Sequence, residues 1–252
     1  MHPPHAIRPF IQTMPNFDGT VIIQSSTPGF MKCTLSTILI AFMAILFACS
    51  PPSGKAKEEV NAEPIKLEPQ PGEAVATFAS GCFWCVEEVY ESLVGVREVI
   101  SGYSGGQASD AHYDIVSSGS TDHAESVQIY YNPAIISFEQ LTAAFFASHD
   151  PTTPNQQGPD RGPQYRSIAY YRNDAEKEII LKEIHRIDSL DLFKGKIVTE
   201  VVPFKTFYPA EAYHQNYVAH HPNESYVRGV SIPRFEKFKR EFKGNFKEKS
   251  EK

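Results

Sequence analysis

Cysteine is scarce in this chain, tryptophan scarcer, and no apolar run is long enough to cross a membrane. Of 252 residues, four are Cys and one is Trp. Cys33, Cys49, Cys82 and Cys85 are too few and too unevenly spread to staple a fold of this length, which needs no staples. A structural zinc site wants about four ligands. No second Cys-x-x-Cys pair answers Cys82 and Cys85, so a metal module is disfavoured and no metal is expected. A large excess of one charge is also lacking. The formal net charge is -6, from 24 basic and 30 acidic residues. That excludes the broad basic surface that nucleic acid requires. The most apolar run, Ile38 to Ala48, is about half the length of a bilayer-spanning helix. There is no internal repeat. Hydrophobic content of 41% and charged content of 21% are ordinary globular usage, and the length suits one domain plus extensions or two small domains.

The first residues do not read as a folded domain. Residues 1–30 are rich in Pro, Thr and Ser and carry no period. Met31-Lys32, the short apolar run and small residues near its end are the marks of a secretory signal peptide. A short buried helix or a single-span anchor is the plainer alternative. The run closes with Leu46-Phe47-Ala48-Cys49, which resembles the lipobox of bacterial lipoproteins. That resemblance implies that Cys49 is lipidated and becomes the mature N-terminus. The expected organisation is a non-native extension over 1–30, a signal peptide over 31–48 and a lipidated Cys with flexible linker over 49–72. A folded domain over 73–230 and a basic helical tail over 231–252 follow. Translation is then expected to start at Met31. The linker carries five prolines from Pro51 to Pro71 among Lys and Glu, and cannot bury enough apolar surface to fold alone. The implied location is the bacterial cell envelope, with the protein lipid-anchored and facing the periplasm or the cell exterior.

Periodicity outlines the domain. Ala74 to Ala79 suits a buried strand, and Cys82 to Leu93 has Val86, Val89, Tyr90 and Leu93 at helical spacing. Val96 to Tyr103 and Glu125 to Tyr131 read as strands. Ser137 and Gln140 form a capping-box pattern ahead of a helix reaching about Ser148. His149 to Arg166 is a long Pro- and Gly-rich loop, of the kind that is functional or disordered. Ser167 to Tyr171 is a strand, Asp174 caps a helix bearing Ile180, Ile184 and Ile187, and Ile197 to Val202 is a last strand. Pro209 to His220 suggests a short helix. Phe235, Phe238, Phe242 and Phe246 place a helix in the basic tail, either docked on the domain or lying on the membrane surface. Alternating strands and helices point to an α/β or α+β two-layer sandwich.

The chemistry is concentrated where a strand turns into a helix, at Gly81-Cys82-Phe83-Trp84-Cys85. A thiolate is the reactive form of cysteine, and a helix N-terminus favours it. Gly81 permits a sharp turn. Phe83 and Trp84 make an apolar wall for a small apolar group. Otherwise the two cysteines would be inert core residues.

This pentapeptide resembles that of the type A peptide methionine sulfoxide reductases. Matching segments follow in order between Ala74 and Tyr226. They are Gly102-Tyr103-Ser104-Gly105-Gly106, Tyr113, His123-Ala124-Glu125, His149-Asp150-Pro151, Gln164-Tyr165-Arg166-Ser167, Phe207-Tyr208-Pro209-Ala210-Glu211 and Tyr213-His214-Gln215. The resemblance implies an α/β two-layer sandwich of ferredoxin-like plait type. It also implies reduction of the S epimer of methionine sulfoxide, free or in proteins, with no cofactor, by a monomer recycled by a thioredoxin-like reductant. Cys82 would be the nucleophile and end as a sulfenic acid. Glu125 would be the proton donor, which requires burial to raise its pKa. Tyr113 and Tyr165 would hydrogen-bond the sulfoxide oxygen, with Asp150 a further polar member. Phe83 and Trp84 would hold the substrate methyl group. Without the resemblance, Glu125 reads as a solvated strand end and the tyrosines as ordinary half-buried residues.

The chain departs from the commonest family pattern at Cys85, where glycine is usual, and it has no cysteine beyond. Cys85 is therefore the only internal candidate to resolve the Cys82 sulfenic acid. A regular helix would hold the two side chains about 5–6 Å apart, whereas a disulfide needs Cβ atoms nearer 4 Å, so local rearrangement is expected. Rival readings are a thioredoxin-like disulfide oxidoreductase, which needs no sulfoxide pocket, and a non-catalytic surface lipoprotein. Through its lipid anchor the membrane would be a further partner.

Overall fold

A computed structural model describes residues 67–248. Cys33, Cys49, the signal segment, the lipobox and nearly all of the linker lie outside the described residues.

The centre is β1 (Ala74–Ser80), whose burial is almost continuous because both its faces are covered. It runs into α1 (Phe83–Glu91), then β2 (Val96–Ser104), the single turn α2 (Tyr113–Val116) and β3 (Ala124–Tyr131). Next come α3 (Phe138–Ala147), the two-residue strands β4 (Gln156–Gln157) and β5 (Asp160–Arg161), β6 (Ser167–Tyr171) and α4 (Asp174–Ser189). The remainder is β7 (Glu200–Pro203), β8 (Phe207–Pro209), α5 (Tyr217–His220) and α6 (Ile232–Glu241). The six-stranded sheet has the order β7-β6-β1-β3-β2-β8. Every neighbouring pair is antiparallel except β6 with β7. β4 and β5 form a separate small hairpin. The chain is thus mixed α/β, with one main core cluster formed by side chains of the sheet and of α1, α3, α4 and α6.

Local chemistry explains the elements. The capping box at α3 is complete: the Ser137 hydroxyl accepts from the Gln140 N–H, and the Gln140 side chain accepts from the Ser137 N–H. At α4 the cap is Asn173 rather than Asp174, because its side chain accepts from the Glu176 N–H. Ile180 and Ile187 are buried beneath that helix.

Two expected elements differ. The strand expected over Ile197–Val202 begins only at Glu200, since the Val198 N–H donates to Pro151 O (2.8 Å) and Ile197 is drawn into the core. The helix expected over Pro209–His220 is broken. Phe207–Pro209 instead pairs with β2, where a side chain on Gly102 would collide with Phe207 and Tyr208. Asn216, in the left-handed region at φ 54°, then separates a 3-10 turn from α5. The long loop is ordered by the β4–β5 hairpin and a 3-10 turn at Pro163–Tyr165.

The C-terminal segment is built into the domain. A π-helical turn, Val227–Ser231, leads into α6. Phe238 is wholly buried and packs against Phe242 and Phe246, with ring centroids at 5.1 and 5.7 Å. Leu93 bridges to Phe246. Replacing Phe238 by Ala should cost about 3 kcal/mol or more, the usual loss for a buried Phe. Urea denaturation of the full chain measures it, and an unchanged midpoint would show that α6 is not tied to the core.

Candidate active site

Gly81 makes the turn from β1 to α1. Its φ of +87° is open to glycine, and a Cβ there would lie 2.5 Å from the Gln157 side chain. Cys82 follows as the N-cap of α1, with a side chain that caps nothing. The first helical N–H, that of Phe83, would be orphaned. It donates instead to Glu125 Oε2 on β3, at 3.0 Å. One hydrogen bond thus brings the thiol and the carboxyl, 43 positions apart in sequence, to one place.

Cys82, Phe83, Trp84, Tyr113, Glu125 and Tyr165 line one cavity of about 240 Å³, together with Asp160 and Tyr226. Drug-sized ligands occupy roughly 300–1,000 Å³, so this cavity suits a single side chain. A larger groove of about 860 Å³ between α3, α4 and α6 shares no residue with it and holds neither cysteine. Among the described residues, no group of three or more His, Cys, Asp or Glu side chains could hold a metal ion.

The walls are aromatic. The Phe83 and Trp84 rings lie 6.1 Å apart, Phe83 and Tyr113 stack at 6.5 Å, and Trp84 stacks on Tyr217 at 3.8 Å. The Trp84 indole N–H donates to His214 Nδ1 (3.1 Å). Burial pushes the His214 pKa down to about 4, so the ring is neutral and carries its proton on Nε2. Glu211 holds Tyr113 from behind. It accepts the Tyr113 N–H (3.0 Å) on one oxygen and the Tyr103 hydroxyl (2.9 Å) on the other.

The electrostatics follow from dryness. Burial pushes the Glu125 pKa up to about 8, against the opposing pull of the Phe83 N–H, so the carboxyl is protonated at neutral pH. Burial raises the ionisation of Tyr113, to about 12, and of Tyr165, so both remain O–H donors. The two thiols perturb each other's ionisation. Burial, then Cys85 and Glu125, push the Cys82 thiol up. Cys85 is pushed down to about 6, first by Cys82 and then by Arg234 and Ser231 against burial. Of the two thiols, Cys85 is thus the one pushed toward the thiolate. The helix N-terminus alone does not make Cys82 the acidic thiol, contrary to the expectation from its position, because desolvation is the larger effect.

Asp150 is not brought into the cavity. Its Oδ1 accepts from the N–H and hydroxyl of Thr152 (2.9 and 2.6 Å), a turn contact at the surface. The acid that lines the cavity is Asp160, whose Oδ2 accepts from the Tyr226 hydroxyl (2.6 Å). Sequence reasoning missed Asp160 and Tyr226. The only signal for Asp160 was its place in the long loop, and Tyr226 carried none. The histidines have packing roles. His149 is neutral, its pKa lowered to about 3 by burial, and bridges Phe145 O and Ser167 Oγ. His123 Nδ1 accepts from the Gly106 N–H, so its Nε2–H donates to Gln107 O.

Comparison with known proteins adds to this geometry. A family model described as peptide methionine sulfoxide reductase matches residues 74–246. A peptide methionine sulfoxide reductase of Rhodopirellula baltica is 44% identical over 182 residues, 72% of this chain and 94% of that protein. One from Thermus thermophilus is 42% identical over 174 residues, 68% of this chain and 96% of the relative. Among solved structures, reduced Mxr1 of Saccharomyces cerevisiae is similar with a TM-score of 0.59 and 38% identity, covering 64% of this chain and 91% of that one. Methionine sulfoxide reductase A of Corynebacterium diphtheriae gives 0.56 and 28% identity, covering 66% and 91%.

A buried acid with a raised pKa makes stability pH-dependent. Between the unfolded value near 4.3 and about 8, the native state holds a proton on Glu125 that the unfolded chain has lost, so this residue's contribution falls as pH rises. Glu125→Gln removes that slope. The stability of the parent chain relative to Glu125→Gln should therefore drop by a few kcal/mol from pH 5 to pH 8. Urea denaturation at both pH values measures this, and a constant difference would show that Glu125 ionises normally.

Proposed function

The chain belongs to the peptide methionine sulfoxide reductase family, and we propose that its Cys82 cavity reduces the S epimer of methionine sulfoxide, free or in proteins, to methionine. The observation that carries this reading is the neutral Glu125 carboxyl held beside Cys82 in a side-chain-sized aromatic cavity. The reaction is thiol-dependent. Sulfoxide sulfur is a poor electrophile until its oxygen is protonated or hydrogen-bonded. Because Glu125 Oε2 accepts the Phe83 N–H, its proton belongs on the other oxygen, free to pass to the sulfoxide. Tyr113 and Tyr165 donate to the same oxygen as charge develops on it. Phe83 and Trp84 enclose the methyl group. The Cys82 proton passes to Cys85, the thiol pushed toward the thiolate, as the sulfur attacks. Methionine departs, and the oxygen stays on Cys82 as a sulfenic acid.

Cys85 resolves that acid as a Cys82–Cys85 disulfide, which a thioredoxin-like dithiol reduces. Asp160 and Tyr226 are the polar pair on the far wall. The core is a ferredoxin-like plait. In support, β1-α1-β2-β3-α3-β6 gives the strand order β6-β1-β3-β2 with every pairing antiparallel. The working form is a monomer.

Full-length protein should consume one epimer of racemic N-acetyl-methionine sulfoxide with dithiothreitol. Cys82→Ser should abolish turnover. Cys85→Ser should keep dithiothreitol turnover at a reduced rate and lose thioredoxin turnover. If neither epimer is consumed, the reading is wrong, and insulin disulfide reduction would then support the oxidoreductase alternative.

The residues before Glu73 add a location. We propose that Cys49 is lipidated and that the enzyme repairs oxidised proteins of the bacterial envelope, on the strength of the Met31–Cys49 pattern. Expression in bacteria with an alkyne-tagged palmitate should label the protein in the membrane fraction. Cys49→Ala should remove the label, and an unlabelled parent chain would overturn the assignment.

A further inference from the structure

The segment that closes over Cys85 brings two polar side chains to it. Ser231, at the end of the π-helical turn and 1% exposed, places its Oγ 3.1 Å from Cys85 Sγ. Arg234 lies in the first turn of α6. Its Nε donates to Ser148 O and its Nη2 to Ser80 O, both at 2.8 Å, with Ser80 Oγ at 3.4 Å. Its Nη1 lies 3.5 Å from where a Cβ on Gly81 would sit. The guanidinium is therefore clamped behind the Gly81–Cys82 turn. Among the described residues all its hydrogen bonds go to neutral oxygens, so its fixed positive charge is left to act on its surroundings. That charge reaches Cys85, Asp160 and His149. Cys85 itself is 2% exposed. Water cannot solvate an anion there, so a thiolate needs a counter-charge and donors from the protein.

We propose that Arg234 and Ser231 are positioning residues of the recycling half-reaction, holding Cys85 as a thiolate that first attacks the Cys82 sulfenic acid and later leaves from the disulfide. This rests on the reading of Cys85 as the resolving residue. In the first step the Cys85 sulfur forms a bond to the Cys82 sulfur and the S–O bond breaks. The oxygen departs as water with a proton from solvent, the sulfenic sulfur is reduced and Cys85 is oxidised. In the second step an external dithiol attacks Cys82, the sulfur that lines the cavity. The S–S bond breaks and Cys85 departs as the thiolate. A more acidic thiol leaves faster, so the same two residues serve both steps.

The other charged and titratable groups facing Cys85 fit this assignment. Asp160 on β5 opposes the thiolate, but Tyr226 donates to its carboxylate and Arg234 attracts it. Glu125 on β3 is protonated at neutral pH and adds no negative charge there. Tyr226 is raised by burial and by the thiols, and stays neutral. Cys82 is held neutral by burial until it is oxidised.

The test oxidises the full-length protein with one equivalent of methionine-S-sulfoxide. Disulfide formation is then followed by acid quench, alkylation and mass spectrometry from pH 5.5 to 9.5. The parent chain should reach a plateau near pH 7. R234Q should be about tenfold slower below that plateau, one unit of thiol acidity, and recover by pH 9.5. R234K should fall between them, and S231A should shift the profile in the same direction by less. A structural defect would not be rescued by alkali. Hence a uniform drop at every pH, or a parent-like R234Q profile, would overturn the proposal. Cys85→Ser serves as the separate control. If it still supports thioredoxin-driven turnover at the parent rate, the resolver reading itself has failed, whatever Arg234 does.

Discussion

The hydrogen bond from the Phe83 N–H to Glu125 joins the start of a helix to the middle of a sheet, and the chemistry of the cavity depends on it. The N-cap side chain is a cysteine that offers α1 no acceptor. A strand therefore supplies one from 42 residues away. This contact sets the spacing between thiol and acid, and it decides which carboxyl oxygen is free. A helix N-terminus and a donated N–H both favour the charged carboxylate. The acid is nevertheless neutral at pH 7, because burial outweighs them. The aromatic wall is thus more than a fit for a methyl group. By excluding water it keeps Glu125 protonated and Tyr113 and Tyr165 neutral phenols.

Dryness has a cost, which the surrounding shell offsets by satisfying what it buries. Gln215 illustrates this: it accepts from the Ser101 N–H and donates to Ser101 O and Ala210 O, fastening the segment after β8 to β2. Glu211 anchors Tyr113 through backbone and Tyr103 through its hydroxyl, so the cavity-lining Tyr113 is held by the same segment. His214 then steadies Trp84 through the indole N–H. From the other side, Arg234 ties α6 to the ends of β1 and α3. The site is therefore closed by chain from beyond residue 200, although its thiols and acid come from the first half of the domain.

What was legible in sequence follows from how local each interaction is. The α3 capping box lies within four residues, and both of its bonds form. The strand-to-helix turn at Gly81 was legible because a positive φ selects glycine. Asn173 and Asp174 are both good caps, and only geometry shows that Asn173 takes the role. The cavity's far wall was less legible. Asp150 sits in a recognisable His-Asp-Pro segment, yet it is spent on Thr152. Asp160 sits in a loop with no periodicity, and its role depends on Tyr226, 66 residues away. The effect of burial on the Cys82 thiol was illegible in sequence for a similar reason. A helix terminus is visible in sequence, while burial and the distant Arg234 are not.

The Cys-x-x-Cys spacing raised a geometric objection, since a regular helix holds such a pair too far apart to bond. Cys82, however, is not inside the helix. As N-cap it has φ -49° and ψ 119°, and its carbonyl accepts from both the Cys85 N–H (3.1 Å) and the Val86 N–H (3.3 Å). The first turn is thereby tightened toward i to i+3 hydrogen bonding. The distance still to be closed is taken up by a residue whose backbone is outside the regular ladder and whose predecessor is glycine. Closing the disulfide can then move the Cys82 end of the turn while Cys85 stays under Ser231 and Arg234. On the proposed mechanism the resolving sulfur is the fixed partner and the nucleophile the mobile one, which suits a site where only Cys82 must meet both the sulfoxide and the external reductant.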